Sequence, residues 1–152
     1  MKKYQKILFG IIFWIISLTW GALMTIPGFI ITGVAILCGG KPHKNGCSYI
    51  VEIGGNWGGL ELGCVALCGS YYESSRDWYE HTRKHEFGHA IQQLIFGPLQ
   101  LFIVGIPSAI RYWYQIIMRQ HGKHFNKNWY DSIWFEGTAS KWGTYWVDKL
   151  EQ

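Results

Sequence analysis

From Lys6 to Lys41 the chain carries no Asp, Glu, Lys, Arg or His, and from Ile7 to Cys38 only Ser17, Thr19, Thr25 and Thr32 interrupt apolar side chains. A spanning helix needs about 20 apolar residues, whereas a buried helix of a soluble domain shows a polar face well before that length. The run predicts an N-terminal membrane segment over residues 1–40. Its apolar part exceeds the ~7–15 residues of a signal-peptide core and no A-x-A site closes it, so it is expected to stay in the protein. Pro27-Gly28 divides the run into Ile7–Met24 and Phe29–Cys38, which leaves a kinked span and a helical hairpin both open. Lysines flank both ends, which favours a hairpin with both ends in the cytoplasm by the positive-inside rule, but the short second arm cannot cross a core about 30 Å thick, so the topology stays open.

Past Lys41 the period changes. A Gly-rich, basic connection from Gly39 to Gly46 leads to Tyr49–Ile53, a short β-compatible run. The loop Gly54–Gly59 follows, and then a second run, Leu60–Cys68; together they predict a β-hairpin. Ser74–Asp77 supplies helix-starting residues, and a helix is predicted over Trp78–Phe96. Leu94–Ile110 is a second apolar stretch, broken by Gly97-Pro98 and Pro107; it suits a re-entrant segment or a helix buried between domain and bilayer. Ile110–Gln120 mixes Arg111 and Arg119 with Tyr112, Trp113 and Tyr114, the composition of a helix at headgroup level. A last helix is predicted over Asp131–Leu150, with Trp134, Trp142, Trp146, Ala139 and Gly143 packing against the earlier one. The fold class that emerges is α+β, a mainly helical domain over 41–152 with one β-hairpin, behind the membrane segment.

At 152 residues the chain has room for one folding unit. Charged residues make up 16%, below the ~25% of an average soluble domain, which excludes a disordered or acidic solubilising protein. The net charge of +4 is spread along the chain, so no concentrated basic patch exists and nucleic acid is excluded as a partner. The bilayer itself is the expected partner. Cys38, Cys47, Cys64 and Cys68 are even in number but not in a decisive pattern. Cys64 and Cys68 read as small residues on one face of a half-buried strand, not as a zinc pair.

The chemistry lies in His85-Glu-Phe-Gly-His89 on the predicted helix. Two imidazoles four residues apart differ by about 40° around the axis and lie one turn apart, so both can bind one tetrahedral zinc ion (Zn2+). Glu86, next to the first ligand, is then placed to take a proton from the zinc-activated water. Downstream, Trp129-Tyr-Asp-Ser-Ile-Trp-Phe-Glu136-Gly-Thr-Ala-Ser140 places a carboxylate on the last helix.

This arrangement resembles the gluzincin metallopeptidases, in which the HExxH motif gives two ligands and a Glu on a later helix gives the third. In that family a β-hairpin or sheet edge ahead of the motif helix receives an extended peptide. The resemblance implies that His85, His89 and Glu136 hold zinc and that Glu86 is the general base of peptide hydrolysis. It spans about Tyr49–Tyr145, but its specific part is five residues and one carboxylate. Many gluzincins place an Asp four residues after the ligand Glu; here that position is Ser140, so support for a ligand histidine comes from the serine or from Asp131. Asp131 also suits a helix N-cap. His81 continues the histidine stripe upstream but drifts off the zinc axis, and His121 and His124 fall in a polar loop. Tyr130 and Tyr145 are the candidate oxyanion donors.

Two other readings stay open. A non-catalytic membrane scaffold would close the site with a fourth ligand from His81, His124 or Asp131. An enzyme similar to the intramembrane site-2 proteases would share the motif, but those take their third ligand from an Asp-Gly pair and this chain contains none.

Overall fold

The computed structural model describes residues 1–71, 73, 75–126 and 129–152. Its first two helices are α1 (Lys3–Leu18) and α2 (Ala22–Leu37), bent by 96° relative to each other. The break falls at Thr19–Gly21, not at Pro27-Gly28, and α2 runs through Pro27. Tertiary contacts place it there. Trp20 donates its indole N–H to the carbonyl of Ile95, and Gln93 donates to the carbonyl of Gly21 at 2.6 Å. These two bonds tie the break to Gln93 and Ile95 of the later chain. Phe13 is fully buried and its ring stacks on Phe87 at 5.8 Å, so α1 contributes directly to the core of the following domain.

Four strands follow, β1 (Lys41–Asn45), β2 (Ser48–Glu52), β3 (Gly59–Leu62) and β4 (Val65–Cys68), in the order β1-β2-β4-β3. The sheet differs from the predicted hairpin in two ways. The basic connection is itself a strand, antiparallel to β2, and Leu60–Cys68 is folded on itself as the antiparallel pair β3/β4. Consequently Tyr49–Glu52 pairs with β4 in parallel, Tyr49 opposite Val65. The fold-back occurs at Gly63, whose φ of +87° only glycine adopts without strain. Cys64 therefore sits in a turn, not on a strand face with Cys68; both are fully buried, and all four cysteines are free thiols.

The next helix, α3 (Arg76–Phe96), starts where Ser75 Oγ accepts the N–H of Trp78 at 3.2 Å, with Asp77 in its first turn. Both features favour a helix N-terminus. Ser74, also named as a starting residue, lies outside the described residues. The chain turns at Gly97–Leu99, forms a π-helical stretch at Leu101–Gly105 and continues as α4 (Ile106–Gln120). Pro107 stands in the first turn of α4, directly after the π-helical stretch. The predicted boundary near Ile110 is thus absent, and Leu101–Gln120 is one helical stretch long and apolar enough to cross a membrane. α1 and α2 meet the same criterion only as a bent pair.

The last helix, α5 (Trp134–Glu151), lies along α3. Asp131 falls in a separate turn, Tyr130–Ser132, and Ile133 occupies the N-cap position, so Asp131 does not cap α5. Small residues decide how closely α3 and α5 pack. A Cβ on Gly88 would stand 2.7 Å from the Cα of Ala139, and one on Gly143 would stand 2.7 Å from the carbonyl carbon of Lys84. Lys84–Asp148 at 2.6 Å and Arg83–Glu151 at 2.9 Å link the outer edges of the pair. Trp142 and Trp146 pack on the core, whereas Trp134 is exposed, with its ring edge-on to Phe96 of α3 at 6.1 Å.

Candidate metal centre

The close packing of α3 and α5 brings Glu136, the third residue of α5, against the histidines of α3. His85 Nε2 lies 3.0 Å from Glu136 Oε2, His89 Nε2 lies 3.3 Å from it, and the two Nε2 atoms are 3.0 Å apart. All three residues are buried. Four-coordinate zinc, with bonds of about 2.0–2.1 Å, separates its ligand atoms by about 3.3 Å, so the triangle has the size such an ion requires.

The hydrogen-bond pattern fixes which ring nitrogens face the centre. His89 Nδ1 is 2.8 Å from Gln92 Oε1, and the Gln92 amide nitrogen donates to the carbonyl of Phe135 and to Thr138 Oγ1, both at 2.7 Å. Because the Phe135 carbonyl only accepts, the amide is oriented with its oxygen toward His89, and Nδ1 must carry the proton. On the other ring, Nδ1 of His85 lies 2.8 Å from Ser140 Oγ, which holds that ring by its far nitrogen. The Nε2 of His89 then presents a lone pair, and the Nε2 of His85 faces the same point, beside the buried Glu136 carboxylate. Three lone-pair donors converging on one point repel unless a cation or proton sits among them. Burial disfavours a charged His89, but the Glu136 carboxylate, with Glu86 and Glu61 beyond it, outweighs that and raises its pKa to about 9. Burial opposes ionisation of Glu136 too, yet both histidines hold it well below the usual carboxylate range. The donor set fits a divalent metal, with Ser140 and Gln92 as the outer supports.

Glu86 is buried beside this triangle, and its own burial pushes it above the usual carboxyl range. The backbone N–H of Glu61 on β3 faces it. Gly59, two residues earlier, passes so close that a Cβ there would stand 2.6 Å from Glu86 Cγ. The edge strand and the carboxylate of Glu86 therefore form one wall of a cleft of about 890 Å³; the opposite wall is the helical stretch 101–120, through Val104, Tyr112 and Trp113.

The other residues named from the sequence are distributed as follows. Tyr130 lines the cleft, its hydroxyl 2.9 Å from Ser108 Oγ, whereas Tyr145 is exposed and absent from the lining. His81 and Asp131 approach each other at 3.8 Å and, with His85, form a second possible ligand group among the described residues. That group is more open, since His81 is exposed, and it shares a histidine with the buried triangle. His121 and His124 are exposed after α4 and belong to neither group. Ser140, not Asp131, stands at hydrogen-bond distance from the Nδ1 atom of His85. Gln92, Glu61 and Gln100 were not identified from the sequence. Gln92 carries a readable signal, because it lies three residues after His89 on the same helix face.

No family model matches the chain, and neither the curated proteins nor the solved structures provide a match.

Proposed function

We propose that this protein is a membrane-anchored zinc metallopeptidase with a gluzincin-like site. The observation that carries the proposal is the convergence of His85 Nε2, His89 Nε2 and Glu136 Oε2 within 3.3 Å, with the Nδ1 atom of each ring held by a second side chain, at the side of a cleft. Three protein ligands leave a fourth position free, as in catalytic rather than structural zinc sites. A zinc ion bound there supplies Lewis acidity and a water acidic enough to ionise near pH 7.

The chain's own groups account for the remaining steps. Glu86, desolvated and raised in pKa, accepts the proton of the attacking water and returns it to the leaving amine. The edge of β3 offers backbone groups to an extended substrate. The Tyr130 hydroxyl, held by Ser108, donates to the developing oxyanion. The apolar wall 101–120 excludes water from the far side of the cleft.

The anchor consists of α1, α2 and the stretch 101–120, whose outer faces expose Ile7, Ile11, Ile30, Phe102, Ile110 and Trp113. Exposed apolar surface on this scale marks a membrane or protein interaction site. Alkaline carbonate washing should leave the protein in the membrane pellet; quantitative release into the supernatant would contradict integral anchoring.

Catalysis is tested by Glu86→Gln in the full chain. The variant is expected to keep its zinc and to lose at least about a hundredfold in turnover of a cleavable peptide. A non-catalytic zinc clamp would be indifferent to the change, and cleavage at the parent rate would remove Glu86 from the mechanism.

A further inference from the structure

His81 and Asp131 line the cleft, and the hydrolytic steps use neither. His81 Nε2 stands 3.8 Å from Asp131 Oδ2, and with a nitrogen of His85 the three ligand atoms lie within 4.8 Å of one another. The His81–Asp131 distance is too long for a hydrogen bond and close to the about 3.3 Å that separates two ligand atoms of one four-coordinate ion. Two elements produce the grouping. His81 precedes His85 by one turn of α3, and the turn Tyr130–Ser132 lays Asp131 beside it.

This group differs from the buried triangle in exposure and shares a member with it. His81 is exposed and Asp131 partly buried, whereas Glu136 is fully buried and lies outside the cleft lining that contains both ligand histidines. An ion arriving through the cleft therefore meets imidazoles before the carboxylate that balances its charge. Shedding hydration water against neutral imidazoles alone is costly for a divalent cation, and Asp131 supplies negative charge on the exposed side. His85 Nδ1 is taken up by Ser140 at 2.8 Å, so Nε2 is the nitrogen left for a metal in either group. One nitrogen holds one ion, and the two groups are alternatives, not a two-metal site.

We infer that His81, Asp131 and His85 form an entry site for a divalent cation, through which the buried centre is loaded and unloaded. His85 keeps its bond throughout, while His81 and Asp131 are exchanged for His89 Nε2 and Glu136 Oε2, so protein ligands accompany the ion at every stage. The inference rests on the metal centre of the proposed function and not on peptide hydrolysis. Its consequence is kinetic. An entry site belongs to neither end state, so its removal slows uptake and release by one common factor and leaves the equilibrium affinity alone.

The test uses the full-length protein stripped of metal and mixed rapidly with cobalt(II), whose visible absorption reports four-coordinate ligation; release is read by challenge with excess chelator. His81→Ala and Asp131→Asn are each expected to slow both rates at least about tenfold, the scale of losing one contact to a divalent ion, with the dissociation constant within about twofold of the parent. Asp131→Glu should keep most of the parent rate. His124→Ala, at an exposed histidine outside both groups, should load as the parent does. Replacing the exposed His81 is expected to shift melting little. Parent rates in both His81→Ala and Asp131→Asn, or a changed dissociation constant with unchanged release, overturn the inference and leave the pair as a tie between α3 and the turn. A parent that takes up no cobalt refutes the buried centre itself, and the entry site with it.

Discussion

Replacing Gly143 with alanine should separate the helix that carries the histidines from the one that carries Glu136. The added carbon would overlie the carbonyl of Lys84, 2.7 Å from its carbon and 2.9 Å from the backbone nitrogen of Gly88. Ordinary contacts between carbon atoms lie at about 3.5–4.0 Å, so α5 must move by about 1 Å. Both obstacles are backbone, and no flexible side chain can yield instead. Overpacking costs about 1–3 kcal/mol, offset by about 1 kcal/mol of better helix propensity. The net loss of up to about 2 kcal/mol corresponds to a fall of up to about 8 °C in melting temperature for a chain of this size. The functional loss is larger. Metal-ligand distances tolerate about 0.2 Å, so a shift of about 1 Å withdraws Glu136 and should weaken zinc binding at least about tenfold. Circular dichroism melting and competition against a chromophoric chelator read the two effects. Gly33→Ala on α2, where the new carbon meets nothing within 4 Å, is the control. Unchanged melting and unchanged zinc affinity in Gly143→Ala would refute the claim that this helix contact positions the third ligand.

Gln92→Ala removes the acceptor that orients His89, together with both bonds from its amide to α5. Zinc affinity is expected to drop about 10–100-fold in chelator competition; an unchanged affinity would show that His89 is oriented without it. A pH series on chelator-treated protein tests the proton that His89 holds. Its folded pKa of about 9 exceeds the ordinary 6.5, so its stabilising contribution is complete below about pH 6.5 and is lost as the pH rises through about 9. Glu61, raised from 4.5 to about 8, acts in the same direction. Melting temperature without metal should therefore decline from pH 6.5 to 9 while zinc affinity increases, and a rising melting temperature would contradict the assignment.

The pairing of His85 and His89 was legible because its spacing is local: two histidines one turn apart share a helix face whatever the rest of the chain does. Glu136 was identifiable only as a carboxylate on a later helix. What brings it to the histidines is the glycine contact at positions 88 and 143, which is a matter of tertiary packing. The strand β1 escaped notice because Lys41-Pro-His-Lys is exposed and polar throughout, the usual character of an edge strand, and shows no apolar alternation. The β3/β4 pair was taken for one strand because a single glycine makes its turn. The bend between α1 and α2 depends on Trp20 and Gln93 reaching across 75 and 72 residues of sequence, a distance over which no local pattern speaks. Glu61 and Gln100 were invisible for a further reason. An unpaired buried acceptor is defined by what surrounds it, and residue type alone says nothing of that.

Metal analysis of the purified full-length protein tests the central claim most directly, with the parent compared against His89→Ala and Glu136→Ala. About one zinc per chain is expected in the parent, with almost none retained after His89→Ala and a clear loss after Glu136→Ala under mild chelation. A parent that binds no zinc, or a zinc content that both substitutions leave untouched, would contradict a centre built from these side chains.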